Sequence, residues 1–222
     1  MENGMGMEVK IRLYDDKTVG QEDGMTGGRE DVMTVGGEME TELTGICNPY
    51  YKLRKESSYV KGMITGDFNS ASVMSLEEKK LSELTSEYII SWNLEPGTRS
   101  DSGFCFLELP RFKTGFDSWN LVQYTVEGNT PVRLDYPLEE EYSFEIALPP
   151  DYVLFTPPVE IDLTNDLGEL NISIAQSGST IKAKRSFELY KDVISSEMMG
   201  EFKEMIVAWE RVDYRKIVIK KR

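Results

Sequence analysis

The chain has 222 residues, of which 40% are hydrophobic and 10% aromatic, enough for a sizeable core in one large or two small domains. Its 39 acidic residues outnumber the 25 basic ones, and the resulting formal net charge of -14 repels nucleic-acid backbones and anionic lipid surfaces on average. The chain has no histidine, which excludes catalytic and zinc sites that depend on an imidazole.

The N-terminal part of the chain combines a strand pattern, a glycine-rich segment and a helix pattern. Residues 8–13 alternate polar and apolar side chains, which predicts a strand. Residues 15–37 are rich in glycine and acidic residues, which favours loops. We therefore expect residues 1–37 to form a loosely attached strand and loop. A helix is predicted over residues 49–62, because Asn48 is a good N-cap and the next residue is proline.

Residues 71–93 carry conflicting signals, and residues 75–86 could form either a helix or a strand. Ser75 and Glu78 could form the capping box of a helix. The apolar residues that follow are rich in aromatic and β-branched side chains, which favour strands. We predict a strand, a polar turn near Lys79 and Lys80, and a second strand.

Turn residues separate a series of strand patterns in the rest of the chain. Strands are predicted over residues 104–109, 142–148, 159–163 and 170–174, with the last two forming a hairpin around residues 165–168.

A long strand is predicted over residues 181–189. One face is apolar except for Arg185, whereas Lys182 and Lys184 lie on the other face. One face is therefore expected in the core and one in water. The basic residues of this strand and of residues 215–222 are interpreted as solvated, not as a binding site.

An amphipathic helix is predicted over residues 196–210, capped by Ser195 or Ser196. Its apolar residues recur at three- and four-residue spacing, which indicates core packing more than a peptide-binding groove. They are Met198, Met199, Phe202, Met205, Ile206 and Trp209. Residues 216–220 then form a predicted terminal strand whose charged ends would blunt an exposed edge.

These patterns predict a mainly β chain with an antiparallel, β-sandwich-like architecture and two accessory helices. After the N-terminal segment we expect a β-rich region with one helix over residues 38–123. Residues 124–222 are expected to form a β-sandwich-like domain, either separate from that region or in one domain with it. No apolar stretch reaches the roughly 18 residues that span a bilayer.

The C-terminal half resembles a known kind of domain. It contains the run Arg-Leu-Asp-Tyr-Pro-Leu at residues 133–138, the turn Leu-Pro-Pro-Asp-Tyr at residues 148–152, and the helix and strand of residues 190–221. This ordered set resembles the C-terminal domain of unknown function that follows the catalytic domain in bacterial transglutaminase-like proteins. The resemblance is best over residues 124–222 and weaker from about residue 25.

The resemblance implies a non-catalytic accessory domain. Its expected partner is an upstream transglutaminase-like domain of the same polypeptide, in a longer exported protein that is periplasmic or extracellular. No signal peptide is recognised in residues 1–6.

Two other roles stay open at this point. Aromatic side chains at Trp92, Trp119 and Tyr124 could stack on sugars in a glycan-binding module. The chain could also be a structural spacer whose acidic surface serves solubility.

Catalytic interpretations find little support. Residues 45–48 superficially resemble a transglutaminase nucleophile sequence around Cys47, but no histidine can accept the thiol proton. Cys105 lies in an apolar run and is expected to be a buried free thiol, although pairing with Cys47 is open. Paired carboxylates need only an acid and a base, but we interpret the glutamates at residues 139–141 as a solvated turn. We expect no enzyme activity and no cofactor.

A calcium site is the remaining metal hypothesis. Asp162, Asn165, Asp166 and Glu169 offer oxygen ligands around Gly168. Their spacing does not follow the EF-hand pattern, so a plain hairpin loop is the favoured interpretation.

Overall fold

A computed structural model describes residues 4–16, 32–44, 71–81, 85–99, 103–109, 111, 116, 121, 123, 130–134 and 137–222. As predicted, this part of the chain is mainly β. It contains a large sheet, a three-stranded sheet, a two-stranded sheet and one α-helix. The helix predicted over residues 49–62 lies outside the described residues.

The large sheet has eight strands. In spatial order these are β3 (Ala71–Leu81), β4 (Thr85–Arg99), β2 (Val32–Thr44), β1 (Gly4–Asp16), β7 (Glu139–Ala147), β11 (Thr180–Leu189), β10 (Gly168–Ser177) and β9 (Val159–Asn165).

Strand directions in this sheet are antiparallel except at its middle. There β1 runs parallel to β7, with Val9 opposite Phe144. Parallel neighbours need a crossover connection, and here the chain forms several other strands between the two. Strands from all three predicted segments are thus hydrogen-bonded in one sheet, while the division into segments stays a prediction.

The N-terminal strand pattern is confirmed, but the glycine-rich segment contains more strand than expected. β1 includes the predicted residues 8–13, and β2 already begins at Val32. The consecutive glycines Gly36 and Gly37 pair with β1 on one side and β4 on the other. Hydrogen bonding on both sides therefore offsets the weak strand preference of glycine.

The two strands predicted across residues 71–93 are confirmed as β3 and β4, whereas the predicted turn at Lys79 and Lys80 is wrong. Both lysines lie in β3. Ser75, Glu77 and Lys79 are exposed, so this face of the strand meets water and tolerates charge.

The three-stranded sheet places the terminal strand at its centre. β13 (Lys216–Lys221) lies between β5 (Phe104–Glu108) and β8 (Tyr152–Leu154) and is antiparallel to both. The prediction that this strand forms an exposed edge is therefore wrong. Lys216 and Lys220 point to one face, whereas Ile217 and Ile219 are buried on the other. A short two-stranded sheet pairs β6 (Val132–Arg133) with β12 (Val193–Ile194).

Helix α1 (Met199–Glu210) packs on the core through the predicted stripe. Met199, Phe202, Met205, Ile206 and Trp209 are buried, and Met198 is partly buried against them. The predicted serine cap is wrong, because the helix begins after Met198 and no side chain caps it. The carbonyls of the two serines instead accept hydrogen bonds from the N–H groups of Met198 and Met199 in the preceding turn.

The core is one cluster that joins these elements. It combines the inner face of the large sheet, the inner face of the three-stranded sheet and the buried stripe of α1. The long strand β11 is confirmed in detail, since Ile181, Ala183 and Phe187 are buried while Lys182 and Lys184 are exposed. Within the described ranges, no helix is both long and apolar enough to cross a membrane.

Candidate interaction surface

The outer face of the three-stranded sheet carries exposed aromatic side chains. Alternation along β5 buries Cys105 and Leu107 and turns Phe104 and Phe106 outward. In β13 the same alternation turns Val218 and Lys220 outward. Phe155, which follows β8, completes the group, and we name these five outward residues the aromatic face.

Two phenylalanines of the aromatic face are largely in water. Phe106 is 55% exposed and Phe155 is 56% exposed. Phe106 lies directly opposite Val218 on the neighbouring strand. Single exposed apolar side chains are ordinary on protein surfaces, but a contiguous group of them is typical of an interaction site.

The geometry of the aromatic face is fixed by hydrogen bonds and ring contacts. The Phe155 N–H donates to the Val218 carbonyl at 2.8 Å, and the Val218 N–H donates to Thr156 Oγ1 at 2.7 Å. The rings of Phe104 and Phe155 meet edge to face with centroids 5.1 Å apart. The aromatic face is therefore a rigid, preformed surface on a sheet.

Lys220 places a positive charge over this surface. Its Nζ lies 5.3 Å from the ring centroid of Phe104 and 5.7 Å from that of Phe155, within the range of cation–π attraction. Lys216 lies nearby on the same strand, with its Nζ 3.8 Å from a carboxylate oxygen of Glu108. The surface thus has an apolar centre and lysines at its rim, although the whole chain carries a net charge of -14.

A buried polar cluster lies inside the core and links β7 to Phe116. The prediction that residues 139–141 form a solvated turn is wrong: β7 begins at Glu139, and Glu140 is only 1% exposed. Glu140 Oε1 accepts a hydrogen bond from the Phe116 N–H, and Oε2 accepts one from the Tyr142 hydroxyl at 2.8 Å. Glu140 thereby satisfies two buried donors.

Arg185 is the second buried charge, at 2% exposure, so the prediction that all basic residues of β11 are solvated is wrong for the exception on its apolar face. It lies opposite Tyr142, and its Nη2 donates to the Trp209 carbonyl at 2.6 Å. Its guanidinium carbon lies 4.3 Å from the centroid of the Trp209 ring. Burial lowers the pKa of Arg185 to about 10, partly offset by the charge of Glu140.

Together these contacts hold α1 on the large sheet. The last carbonyls of a helix lack partners within it, and α1 has no basic residue in its last turn. Arg185 binds the carbonyl of Trp209, and Arg215 Nη2 donates to the carbonyl of Glu210 at 3.0 Å. Two arginines from outside the helix therefore complete its C-terminus, where positive charge is also favourable.

The calcium candidates make other interactions. Asp162 accepts a hydrogen bond from the Thr164 hydroxyl at 3.3 Å, and Asn165 Oδ1 accepts one from the Leu167 N–H at 2.8 Å. Asp166 is exposed at the hairpin turn. A hydrogen bond to Glu169 raises the pKa of Tyr190 to about 12. Among the described residues, no group of three or more acidic, cysteine or histidine side chains is placed to hold a metal ion.

Other predicted site residues fall largely outside the described part of the chain. Trp92 belongs to β4, but its side chain is not described, and Trp119, Tyr124 and Cys47 lie wholly outside. Cys105 is buried as expected and carries a free thiol. Burial raises the pKa of this thiol to about 11, which makes it a poor nucleophile.

The fold and the surface define a β-rich domain with a preformed aromatic face. Residues 105–219 match a family described as a domain of unknown function with a solved structure, DUF3858. The match covers more than half of the chain, and the chain belongs to this family. The prediction of a domain of unknown function is thus confirmed over its C-terminal half.

One solved structure is similar to part of the chain. It is the crystal structure of a protein from Parabacteroides distasonis named as a putative protease, with 22% sequence identity and a TM-score of 0.46. The similarity covers 54% of this chain and 24% of that one, so the matched part corresponds to about a quarter of the other protein. No curated protein matches the chain.

Proposed function

We propose that the chain is a non-catalytic accessory domain that packs, through its aromatic face, against an upstream transglutaminase-like domain of the same polypeptide. The aromatic face is the observation that carries this proposal. Phe106, Phe155 and Val218 of this face lie within the matched residues 105–219, and Phe104 and Lys220 lie one residue outside them.

The sequence supports the non-catalytic part of the proposal. Cysteine-dependent acyl transfer needs a base beside the thiol, and the chain has no histidine to serve as one. The described cysteine, Cys105, is buried with a raised thiol pKa. Among the described residues, the buried carboxylate is that of Glu140, and it accepts hydrogen bonds from two protein donors.

The physical gain from covering the aromatic face is substantial. Full burial of a phenylalanine side chain contributes about 1.5–3 kcal/mol. Phe106 and Phe155 are each a little over half exposed, so covering both recovers roughly the equivalent of one such side chain. The rim lysines would orient an acidic surface of the upstream domain.

The first test is the natural reading frame, read from source DNA and checked by the intact mass of the native protein. The proposal predicts a longer product with an upstream domain that carries cysteine, histidine and aspartate, and export of this product to the periplasm or the exterior. A native product without such a domain contradicts it, as does peptide hydrolysis or cross-linking by the isolated chain at enzymatic rates.

The second test probes the surface in the complete polypeptide. A protease site is inserted between the catalytic domain and this domain, and the cleaved protein is analysed by size-exclusion chromatography. We expect the two parts to stay together, and the variant Phe106→Ser/Phe155→Ser to separate them.

The matched control is Val207→Ser/Val212→Ser, because both valines are about as exposed as the two phenylalanines but lie outside the aromatic face. This control should leave the two parts together. A role for the aromatic face is contradicted if the two parts of the cleaved parent protein elute separately. It is also contradicted if the two double variants elute in the same way.

A further inference from the structure

The large sheet ends in an open edge at β9. This strand pairs with β10 on one side, and no described strand lies on its other side. The opposite end of the sheet is β3, so β9 is one of two outermost strands. Backbone groups on such an edge are a ready template for another strand.

The hairpin geometry shows which residues of β9 present their backbone to the edge. Asn165 pairs with Gly168 across a two-residue loop, and such a closing pair is hydrogen-bonded. Hydrogen bonding alternates along an antiparallel pair, so Val159, Ile161 and Leu163 also bond β10. The N–H and C=O groups of the residues between them, Glu160, Asp162 and Thr164, therefore point away from the sheet.

The side chains of β9 define what could bind there. Glu160, Asp162 and Thr164 are exposed on the outer face, whereas Val159, Ile161 and Leu163 are only partly buried on the inner face. An added strand would place alternate residues beside each set. Basic residues of the added strand are favoured where they lie beside Glu160 and Asp162. Apolar residues are favoured where they lie beside Val159, Ile161 and Leu163.

A second copy of this chain does not fit the edge. Two β9 strands paired antiparallel about a twofold axis would bring Glu160 and Asp162 close to the same residues of the other copy. Like charges opposite each other destabilise a strand pair. The net charge of -14 per chain adds to this repulsion.

We propose that the open edge of β9 binds an extended peptide segment in which lysine or arginine alternates with apolar residues, as a ninth strand of the large sheet. Main-chain hydrogen bonds supply affinity, and the two acidic side chains select the basic sequence. This site is separate from the aromatic face and goes beyond the proposed accessory role.

The test uses the whole chain and a defined probe, the acetylated and amidated peptide Ser-Lys-Val-Lys-Ile-Lys-Val-Gly. Titration calorimetry at peptide concentrations up to about 1 mM should detect binding of this peptide and at least about tenfold weaker binding of the same peptide with Glu in place of Lys. Amide hydrogen exchange should slow in β9 when the lysine peptide is bound.

Two variants test separately how backbone hydrogen bonds and side-chain charge contribute to peptide binding. Thr164→Pro removes an outward N–H without removing a bond to β10 or either acidic side chain, and it should weaken binding at least about tenfold. Glu160→Lys/Asp162→Lys should reverse the preference, so that the glutamate peptide binds better. The matched control Glu145→Lys/Glu188→Lys makes the same charge change on exposed residues of β7 and β11 and should keep the original preference.

Some results would overturn the proposal. These are no binding of the lysine peptide, slowed exchange outside β9 only, or the same change of preference in the control variant. Loss of fold in Thr164→Pro, detected by circular dichroism, leaves the charge-reversal pair to decide the outcome.

Discussion

Two buried charged residues connect elements of the core: Glu140 accepts hydrogen bonds from Phe116 and Tyr142, and Arg185 donates one to α1. Glu140 lies at the same alternating, inward-facing positions of β7 as Tyr142 and Phe144. The glutamates on either side of it nevertheless suggested a solvated turn. Arg185 was recognisable as an exception within an apolar face. Its partner, the carbonyl of Trp209, could not be predicted because it depends on where α1 docks. The alternation of inward and outward positions along a strand could therefore have located the buried charges, but it could not have identified the groups that they contact.

Removal of the Glu140 carboxylate is expected to be costly. Glu140→Ala leaves two buried donors without their acceptor and removes a negative charge that favours charged Arg185. We expect the free energy of unfolding to fall by about 3–5 kcal/mol, measured by urea denaturation. Glu141→Ala is the control, because its ion pair with Lys184 is on the surface and should contribute less than about 1 kcal/mol. Equal losses in the two variants would contradict the structural role of Glu140.

The buried thiol of Cys105 makes stability depend on alkaline pH. Burial raises its pKa from 9.0 to about 11, so the folded protein retains a proton that the unfolded chain loses. The contribution of the protonated thiol to the free energy of unfolding is complete below pH 9, and it is lost as the pH rises towards 11. The free energy of unfolding should therefore fall over this range more steeply for the parent than for Cys105→Ala, in denaturation series at several pH values. Parallel pH profiles would exclude burial of the thiol.

At the scale of elements, the alternation of polar and apolar residues predicted where the strands lie in the sequence. It did not predict which strands are neighbours in a sheet. β7, β11 and the β9–β10 hairpin were predictable because each has one wet face and one buried face. β13 has the same alternation and yet is a central strand, since neighbours on both sides come from distant parts of the chain. Local pattern thus identifies a strand without identifying its partners.

The β9–β10 hairpin depends on a glycine for close approach, not for an unusual backbone angle. A Cβ at Gly168 would lie 1.9 Å from the carbonyl oxygen of Glu188, which belongs to the paired strand β11. Gly168→Ala should therefore lower the free energy of unfolding by about 1–3 kcal/mol or more, measured by chemical denaturation.

Gly200→Ala provides the comparison for this prediction. Apart from its chain neighbours and the backbone of its own helix, no atom lies within 4 Å of a Cβ at Gly200, which is in the first turn of α1. Because alanine favours helix, this variant should be neutral or more stable by up to about 1 kcal/mol. A tolerated alanine at Gly168 would mean that β10 and β11 are farther apart than described.

At the scale of the whole molecule, composition and alternation predicted a mainly β fold, while the arrangement of sheets required the structure. The parallel pairing of β1 with β7 has no local signature, because alternation is the same in both directions. The aromatic face was hidden for a related reason: the run Phe-Cys-Phe-Leu in β5 is typical of a strand buried on both sides. Its exposed side appears only once β13 and β8 are placed beside it.

The most direct test of the proposed interface is hydroxyl-radical footprinting of the aromatic face. The complete natural polypeptide and the isolated chain are labelled in parallel, and modification of Phe106 and Phe155 is quantified by mass spectrometry. Tyr190, which is 45% exposed outside the aromatic face, serves as the internal reference. We expect both phenylalanines to be modified several-fold less in the complete polypeptide while Tyr190 is unchanged. Equal modification of Phe106 and Phe155 in the two samples would contradict packing of the aromatic face against an upstream domain.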